Sequence, residues 1–301
     1  MIPLRMLAVA GMLLARAALA ANDTRTVHDD AGETVTVRTA ECRIVSLAPG
    51  TTAMLYAAGA GHCVVGTIAH SDEPPEAAHV QIVGDAETLD FEQLLALKPT
   101  VVVVAVDVVQ RVRIDRIKAL GIPVYQVHVT RLAAMPDSLR RLGTLTNTSA
   151  TADAVAGTLR SDLNAIQERY RDRRPVRVLY QIWDRPIYTI GGAHVISDAL
   201  RLCGANNIFA DLSTAAPAVT REATVLRDPE LILVSAPPGA ADEWLMEWRK
   251  IPALSAVRND HLVRYTDERI DRMGPSVIAA TANLCEVIDR ARSKSSSAGI
   301  R

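Results

Sequence analysis

Asp90-Phe91-Glu92 leads through Lys98-Pro99-Thr100 into the run Val101–Val104, and Thr220-Arg221-Glu222 leads through Asp228-Pro229-Glu230 into Leu231–Val234. One phrase is written twice. Each copy reads as helix, turn and buried strand: Asp90 and Thr220 are N-cap types, and Glu92 and Glu222 fall in the first turn, where the helix dipole favours a carboxylate. Pro99 and Pro229 stop the helix ahead of an apolar run. Working outward, Arg43-Ile44-Val45-Ser46-Leu47 matches Arg177-Val178-Leu179-Tyr180, and Leu55 to Gly59-Ala60 matches Leu200 to Gly204-Ala205. The duplication predicts two similar α/β lobes with a ligand cleft between them.

A chain of 301 residues accommodates two modest lobes, each with its own core. Its 33 basic and 34 acidic side chains nearly cancel, and no long basic run occurs, which gives nucleic-acid binding no electrostatic support. At the N-terminus Arg5 precedes the apolar stretch Met6–Leu14, and Ala18-Leu19-Ala20 supplies the small residues a signal peptidase needs. Residues 1–21 are therefore expected to be a signal peptide cleaved near Ala20, placing the mature chain in the periplasm. The stretch is short for a membrane span, and no cysteine follows it to carry a lipid. A buried N-terminal helix is the competing reading.

Export favours disulfides over metal ligation for Cys42, Cys63, Cys203 and Cys285, since no C-x-x-C spacing occurs. Three pairings are possible. Cys42 and Cys63 flank the first strand–helix unit of lobe one, whereas Cys203 follows a lobe-two helix and Cys285 lies in the last helix. The expected pairs are thus Cys42–Cys63 and Cys203–Cys285, with reduced buried thiols as the alternative.

Residues 22–42 read as an N-terminal hairpin extension, alternating around Asp29-Asp30-Ala31-Gly32, and residues 43–148 as the first lobe. Its strands Ile44–Leu47, Val64–Ile68, Val101–Val104 and Val124–Val127 alternate with helices, which predicts a mostly parallel sheet covered on both faces. Residues 149–174 carry helical periodicity with no Gly-Pro break and a charged end, and are read as a linking helix. Residues 175–292 form the second lobe, and the polar stretch 293–301 is expected to be a disordered tail.

The phrases Arg43-Ile44-Val45-Ser46-Leu47-Ala48-Pro49, Ser71-Asp72-Glu73-Pro74-Pro75, Leu95-Ala96-Leu97-Lys98-Pro99, Cys203-Gly204-Ala205-Asn206-Asn207-Ile208-Phe209 and Val219-Thr220-Arg221-Glu222, in this order, resemble one family. It is the helical-backbone class of substrate-binding proteins for metal-chelate ABC importers, its cobalamin-binding branch in particular, and the resemblance runs from about Arg43 to Arg290. The resemblance implies two Rossmann-like α/β lobes with mostly parallel sheets joined by one long backbone helix, the class III periplasmic binding protein arrangement. It implies a bridge between Cys203 and Cys285. It also gives Glu92 and Glu222 a task, one exposed carboxylate per lobe pairing with arginines of an inner-membrane permease; the competing reading is simple dipole stabilisation.

Ligands of doubly wound sheets gather at the carboxyl ends of strands. Candidate ligand contacts there are Pro49, Gly50, Thr51, His70, Asp85 and Ala86 in lobe one, with Trp183, Asp184, Pro217, Arg269 and Arg272 in lobe two; the resemblance places Arg272 in the cleft. Where cobalamin-binding members carry bulky aromatics this chain aligns Ala86, Ala105, Ala216 and Arg269, and it has two phenylalanines in all. The pocket is therefore expected to be wider, or its cargo different. His70 is a candidate axial ligand to the metal of a bound chelate, with His128 second, and Arg269 and Arg272 could clamp carboxylates, phosphates or propionates.

These residues predict a monomeric carrier without a cofactor of its own. It captures cobalamin or a related corrinoid in the cleft and delivers it to an ABC importer. The same role for haem or a ferric siderophore is the alternative. An exported metal-dependent hydrolase using His70, Asp72 and His128 is the remote one, for H-E-x-x-H and G-x-S-x-G are both absent.

Overall fold

The computed structural model describes residues 24–38, 41–106 and 108–298, so the expected signal peptide lies outside the described residues. Its sheets carry the duplication that the sequence announced. In the first, β3 (Ile44–Ser46) pairs in parallel with β4 (Val64–Thr67) and β5 (Val101–Ala105), and β5 with β6 (Val124–Val127), giving the order β4-β3-β5-β6. In the second, β7 (Val176–Trp183) pairs in parallel with β9 (Ala205–Asn207) and β11 (Leu231–Val234), and β11 with β12 (Leu262–Arg264). Strand for strand the parallel topology is the same.

The repeated phrase is repeated in its hydrogen bonds. Helix α1 spans Pro49–Ala57, and Asp90 caps α2 (Phe91–Ala96) by accepting from the Glu92 and Gln93 N–H groups; α3 follows at Arg111–Ala119. Behind α2, Lys98 turns with a φ of 47°, Thr100 N–H donates to the Arg43 carbonyl (2.8 Å) and Arg43 Nε donates to the Leu97 carbonyl (2.9 Å). In the second copy Asp228 turns with a φ of 41°, Glu230 N–H donates to the Arg177 carbonyl (2.9 Å) and Arg177 Nε donates to the Asp228 carbonyl (2.9 Å). Gly59 and Gly204, at φ 85° and 65°, end matching helices in the left-handed region that suits glycine.

The chain divides into two compact units, one taking the chain to His128 together with 137–155, the other 129–136 together with everything from Ala156 onward. The expected linking helix exists as one unbroken element, α5 (Ser149–Tyr170), preceded by α4 (Met135–Thr146), and the division falls inside it. In unit one Val45, Val102, Val104, Leu94, Ile114 and Ile117 form the core; in unit two Leu179, Ile232, Val234, Trp244 and Trp248 do. The central strands β5 and β11 are apolar throughout because both faces are covered.

Two expectations are modified. Strands β1 (Thr24–His28) and β2 (Thr34–Arg38) do form the N-terminal hairpin, yet its turn is anchored on unit one. Asp29 Oδ2 accepts from the Gln126 N–H, and Asp30 accepts from Arg141 (2.6 Å) and Ser138 (2.7 Å). The last helix, α10 (Val277–Ala298), runs on through most of the stretch expected to be a tail, since nothing before Gly299 interrupts a helix. β8 (Ile187–Thr189) pairs antiparallel with β7 across the Asp184-Arg185-Pro186 turn, and two short strands escape the periodicity, the edge strand β9 and the two-residue β10 (Ala218–Val219). The remaining helices are α6 (Val195–Leu202), α7 (Arg221–Arg227), α8 (Pro238–Arg249) and α9 (Ser255–Arg258). Both expected disulfides are present, Cys42–Cys63 and Cys203–Cys285.

Asp228 gives this fold an acid limit. Burial alone would raise its carboxyl, but the Ser255 N–H and hydroxyl (both 2.7 Å), with Arg177 and Arg258, outweigh burial and hold it below the usual range. A depressed folded-state pKa contributes stability that is present above the ordinary aspartate range and is lost as pH falls through the lowered value. Asp228→Asn keeps the left-handed turn and removes the charge. We expect its thermal midpoint at pH 6 to fall by ~2–4 °C, about what 1 kcal/mol represents in a domain of this size, and the gap from the parent to narrow as pH falls below the ordinary aspartate range. A gap that stays constant with pH would contradict this account.

Candidate functional site

In unit one the strand ends bring part of the predicted set together. Ala69 N–H donates to the Gly84 carbonyl (2.9 Å), which places His70 and Asp85, each one residue further on, at the same edge. His70 is exposed and held at a φ of 66°, a left-handed conformation that a non-glycine residue adopts at a cost. Ala86 is exposed beside them, and its carbonyl accepts from Arg113 Nη1 (2.7 Å). Arg113 also lines the small hollow formed by Leu47, Ile68, Asp85, Ala86, Leu89 and Val109. It was not singled out in the sequence, because it lies in the first turn of α3, sequentially remote from every strand end.

Other predicted contacts are turned to structural work. Thr51 is 2% exposed, and its hydroxyl bonds Ser46 Oγ (2.7 Å) and the Ala48 carbonyl (2.9 Å) inside a hydroxyl cluster shared with Thr52 and Thr67. Gly50 is buried as well, leaving half-buried Pro49 as the partly accessible member of that trio. Asp85 accepts from the Glu87 and Thr88 N–H groups (2.8 and 2.6 Å) and from the Thr88 hydroxyl, and these bonds hold its carboxyl below the usual range. That oxygen organises the loop; its partner Oδ2 has no such duty among these bonds.

In unit two Trp183 ends β7 with 58% of its surface exposed, packed edge-on against Trp244 with ring centroids 6.1 Å apart. Its carbonyl accepts from Gln181 Nε2 (3.1 Å), and Gln181 Oε1 accepts from the Trp248 indole (2.7 Å), so the turn is braced from inside the core. Asp184 is buried between Arg185 Nε (3.0 Å) and Arg221 (3.9 Å). Pro217 is buried just ahead of β10 and offers its carbonyl to the Thr189 N–H of β8.

Past β12, Arg269 is held bidentately by Asp267 (2.7 and 2.6 Å), an arrangement that also holds the Asp267 carboxyl low. Arg272 is half-buried. Between them Asp271 accepts from Ser235 Oγ (2.9 Å) at the end of β11, and loss of solvent pushes its carboxyl up. Asp271 lies inside the segment Arg269-Ile270-Asp271-Arg272 that the sequence places at a strand end, where the two arginines are the candidate contacts. This surface of unit two combines an exposed indole, an arginine–carboxylate fork and a hydroxyl. Such a surface suits a ligand with one broad face and several polar groups.

The two repeated glutamates occupy equivalent helix starts. Glu92 and Glu222 are exposed in the first turns of α2 and α7, where the caps are made by Asp90 and Thr220 instead. Bonding to its own backbone N–H and to Thr220 holds the Glu222 carboxyl low. Among the described residues no group of three or more His, Cys, Asp or Glu side chains is arranged to hold a metal ion, and no helix is long and apolar enough to cross a membrane.

Comparison with known proteins agrees with this geometry. The family model described as periplasmic binding protein matches residues 44–269. A vitamin B12-binding protein of Vibrio parahaemolyticus is 27% identical over 252 residues, spanning 84% of this chain and 91% of its own. One from Yersinia pestis is 30% identical over 244 residues, spanning 81% and 85%. Among solved structures, the periplasmic vitamin B12-binding protein of Vibrio cholerae superposes with a TM-score of 0.77 at 28% identity, over 83% of this chain and 98% of that one. A periplasmic heme-binding protein from Roseiflexus, at 22% identity and a TM-score of 0.72 over 84% and 99%, shares the fold.

Proposed function

This chain belongs to the periplasmic binding protein family, and we propose that within it the protein captures cobalamin or a related corrinoid and hands it to an ABC importer. The observation that carries this reading is the match, over nearly its whole length, to a vitamin B12-binding protein of known structure. Contacts to the cargo come from His70, Asp85, Ala86 and Pro49 in unit one and from Trp183, Arg269 and Arg272 in unit two. Buried Thr51, Gly50, Asp184 and Pro217 shape those surfaces from behind. No covalent chemistry is involved. The protein works as an exported monomer, processed near Ala20, and Glu92 and Glu222 meet arginines of the inner-membrane permease.

The exposed His70, fixed in a left-handed conformation at a strand end, supports a second reading in which it ligates the metal of haem or of a ferric chelate. A visible-absorbance titration with cyanocobalamin, cobinamide and haem, with calorimetry alongside, separates the two. Saturable corrinoid binding is the expected result, haem alone would reassign the cargo, and silence from all three would overturn both. Trp183→Ala should weaken cyanocobalamin binding about 30-fold, the ~2 kcal/mol of an aromatic hot spot, without lowering stability much because the ring is already exposed. Unchanged affinity would remove Trp183 from the site.

A further inference from the structure

Unit two contains a groove of about 830 Å³ that the cargo reading leaves unused. It lies between the crossover residues Thr130 and Arg131, helix α6 and the segment from β9 to Ser213. β9 pairs with Val176–Val178 at the start of β7, whereas Trp183 ends that strand. At ~3.3 Å per residue the groove's β9 wall is therefore on the order of 20 Å from the Trp183 turn. It is a separate place on the unit.

The groove is built around one buried acid. Asp198, 8% exposed, accepts the Leu132 N–H on Oδ2 (2.8 Å) and both Nε and Nη2 of Arg201 on Oδ1 (3.2 and 2.6 Å), while Arg131 Nε stands 3.9 Å from the same Oδ1. One carboxylate thus fixes the Arg201 guanidinium and lies within ion-pair distance of Arg131, and the two arginines outnumber it in charge. Their side chains remain 57% and 67% exposed. Across the groove Asp211 is neutralised by a two-pronged bond to Arg227 (2.6 and 2.9 Å), so it does not cancel the surplus.

The wall is equally fixed. Buried Asn207 donates to the Ile190 carbonyl (2.7 Å) and Ser197 Oγ (2.8 Å), Ser197 donates to the Gly191 carbonyl, and a Cβ on Gly192 would stand 2.1 Å from the Ala210 carbonyl. A groove of this volume, with rigid polar walls, an Arg201 guanidinium fixed by Asp198 and an exposed Arg131 beside it, has the dimensions and charge of a small-molecule site. We propose that it binds a small organic anion through a carboxylate or phosphate group, taken by Arg131 and Arg201 together. Bound there, the anion ties the crossover segment to α6 at the point where Asp198 already holds Leu132.

The test is calorimetric titration of the mature protein with citrate and, separately, with inorganic phosphate, at constant ionic strength set by sodium chloride. Saturable binding of at least one probe at millimolar concentration or below is expected, and the two arms tell carboxylate from phosphate. Arg131→Gln should weaken it about tenfold, and the double variant with Arg201→Gln should abolish it. Arg131→Gln leaves the Arg201–Asp198 bonds intact, so it stays informative even if the double variant loses stability. Absence of saturable heat with both probes, or binding indifferent to Arg131→Gln, would overturn the proposal.

Discussion

Reversing both Glu92 and Glu222 to lysine is expected to reduce cyanocobalamin uptake at least 100-fold while its Kd for the isolated protein changes less than twofold. The separation follows from where the two carboxylates sit. Each is exposed in the first turn of a short helix whose cap is made by a neighbour, Asp90 in one unit and Thr220 in the other. Replacing the glutamates therefore leaves the Asp90 and Thr220 caps in place and removes surface interactions alone, with the helix dipole and, at Glu222, with its own N–H and Thr220. Neither residue belongs to the strand-end clusters at His70 and Trp183. An ionised carboxylate presented on a rigid helix makes a charge-assisted bond to an arginine, and lysine in its place repels the same arginine, so docking suffers twice. Transport is measured in cells where this chain is the sole copy beside its importer, and affinity by absorbance titration. Single reversals should give intermediate uptake. A parallel loss of cargo affinity would assign the two residues to the site or the fold instead.

The duplication was legible because it is written in residues that act locally. Caps, first-turn acids, helix-stopping prolines and β-branched runs are read within a few positions, and the structure repeats them down to the Thr100–Arg43 and Glu230–Arg177 bonds. The strands that escaped detection are made by their partners. β9 is Ala205-Asn206-Asn207, with no β propensity of its own, and it exists because β7 offers a free edge. The site was legible as a set of strand ends and less so as a set of side chains. Thr51 lies at the right place in the chain with its hydroxyl turned into the Ser46–Thr52–Thr67 cluster, and Pro217 is buried with its carbonyl bound to the Thr189 N–H. A strand or helix period tells which face a residue occupies only once the neighbouring layers are known. Arg113 is hidden for the converse reason, as tertiary packing carries it from α3 to the strand end at Ala86.

Removing the Cys203–Cys285 bridge is expected to cost more stability than removing Cys42–Cys63. Cys203 closes α6 and Cys285 lies within α10, with 82 positions between them, against 21 for the other pair. In the chain-entropy account, cross-links of these lengths restrict the unfolded chain by about 4.5 and about 3 kcal/mol respectively. Both sulfurs of the longer bridge are fully buried, and the groups around it are organised: Arg292 donates to the Cys203 carbonyl (2.9 Å) and the Gly204 carbonyl (3.1 Å), joining α10 to the end of α6. Cys203→Ser/Cys285→Ser should therefore lower the free energy of unfolding in urea by ~3–5 kcal/mol, near the upper end for one disulfide, and Cys42→Ser/Cys63→Ser by roughly 2–3. Mild reductant should act in the opposite order. Cys42 is exposed and Cys63 buried, so a thiolate reaches the shorter bridge first, and the longer one yields only as unit two opens. Equal losses for the two double variants, or earlier reduction of Cys203–Cys285 under native conditions, would show that the longer bridge does not stabilise unit two in this way.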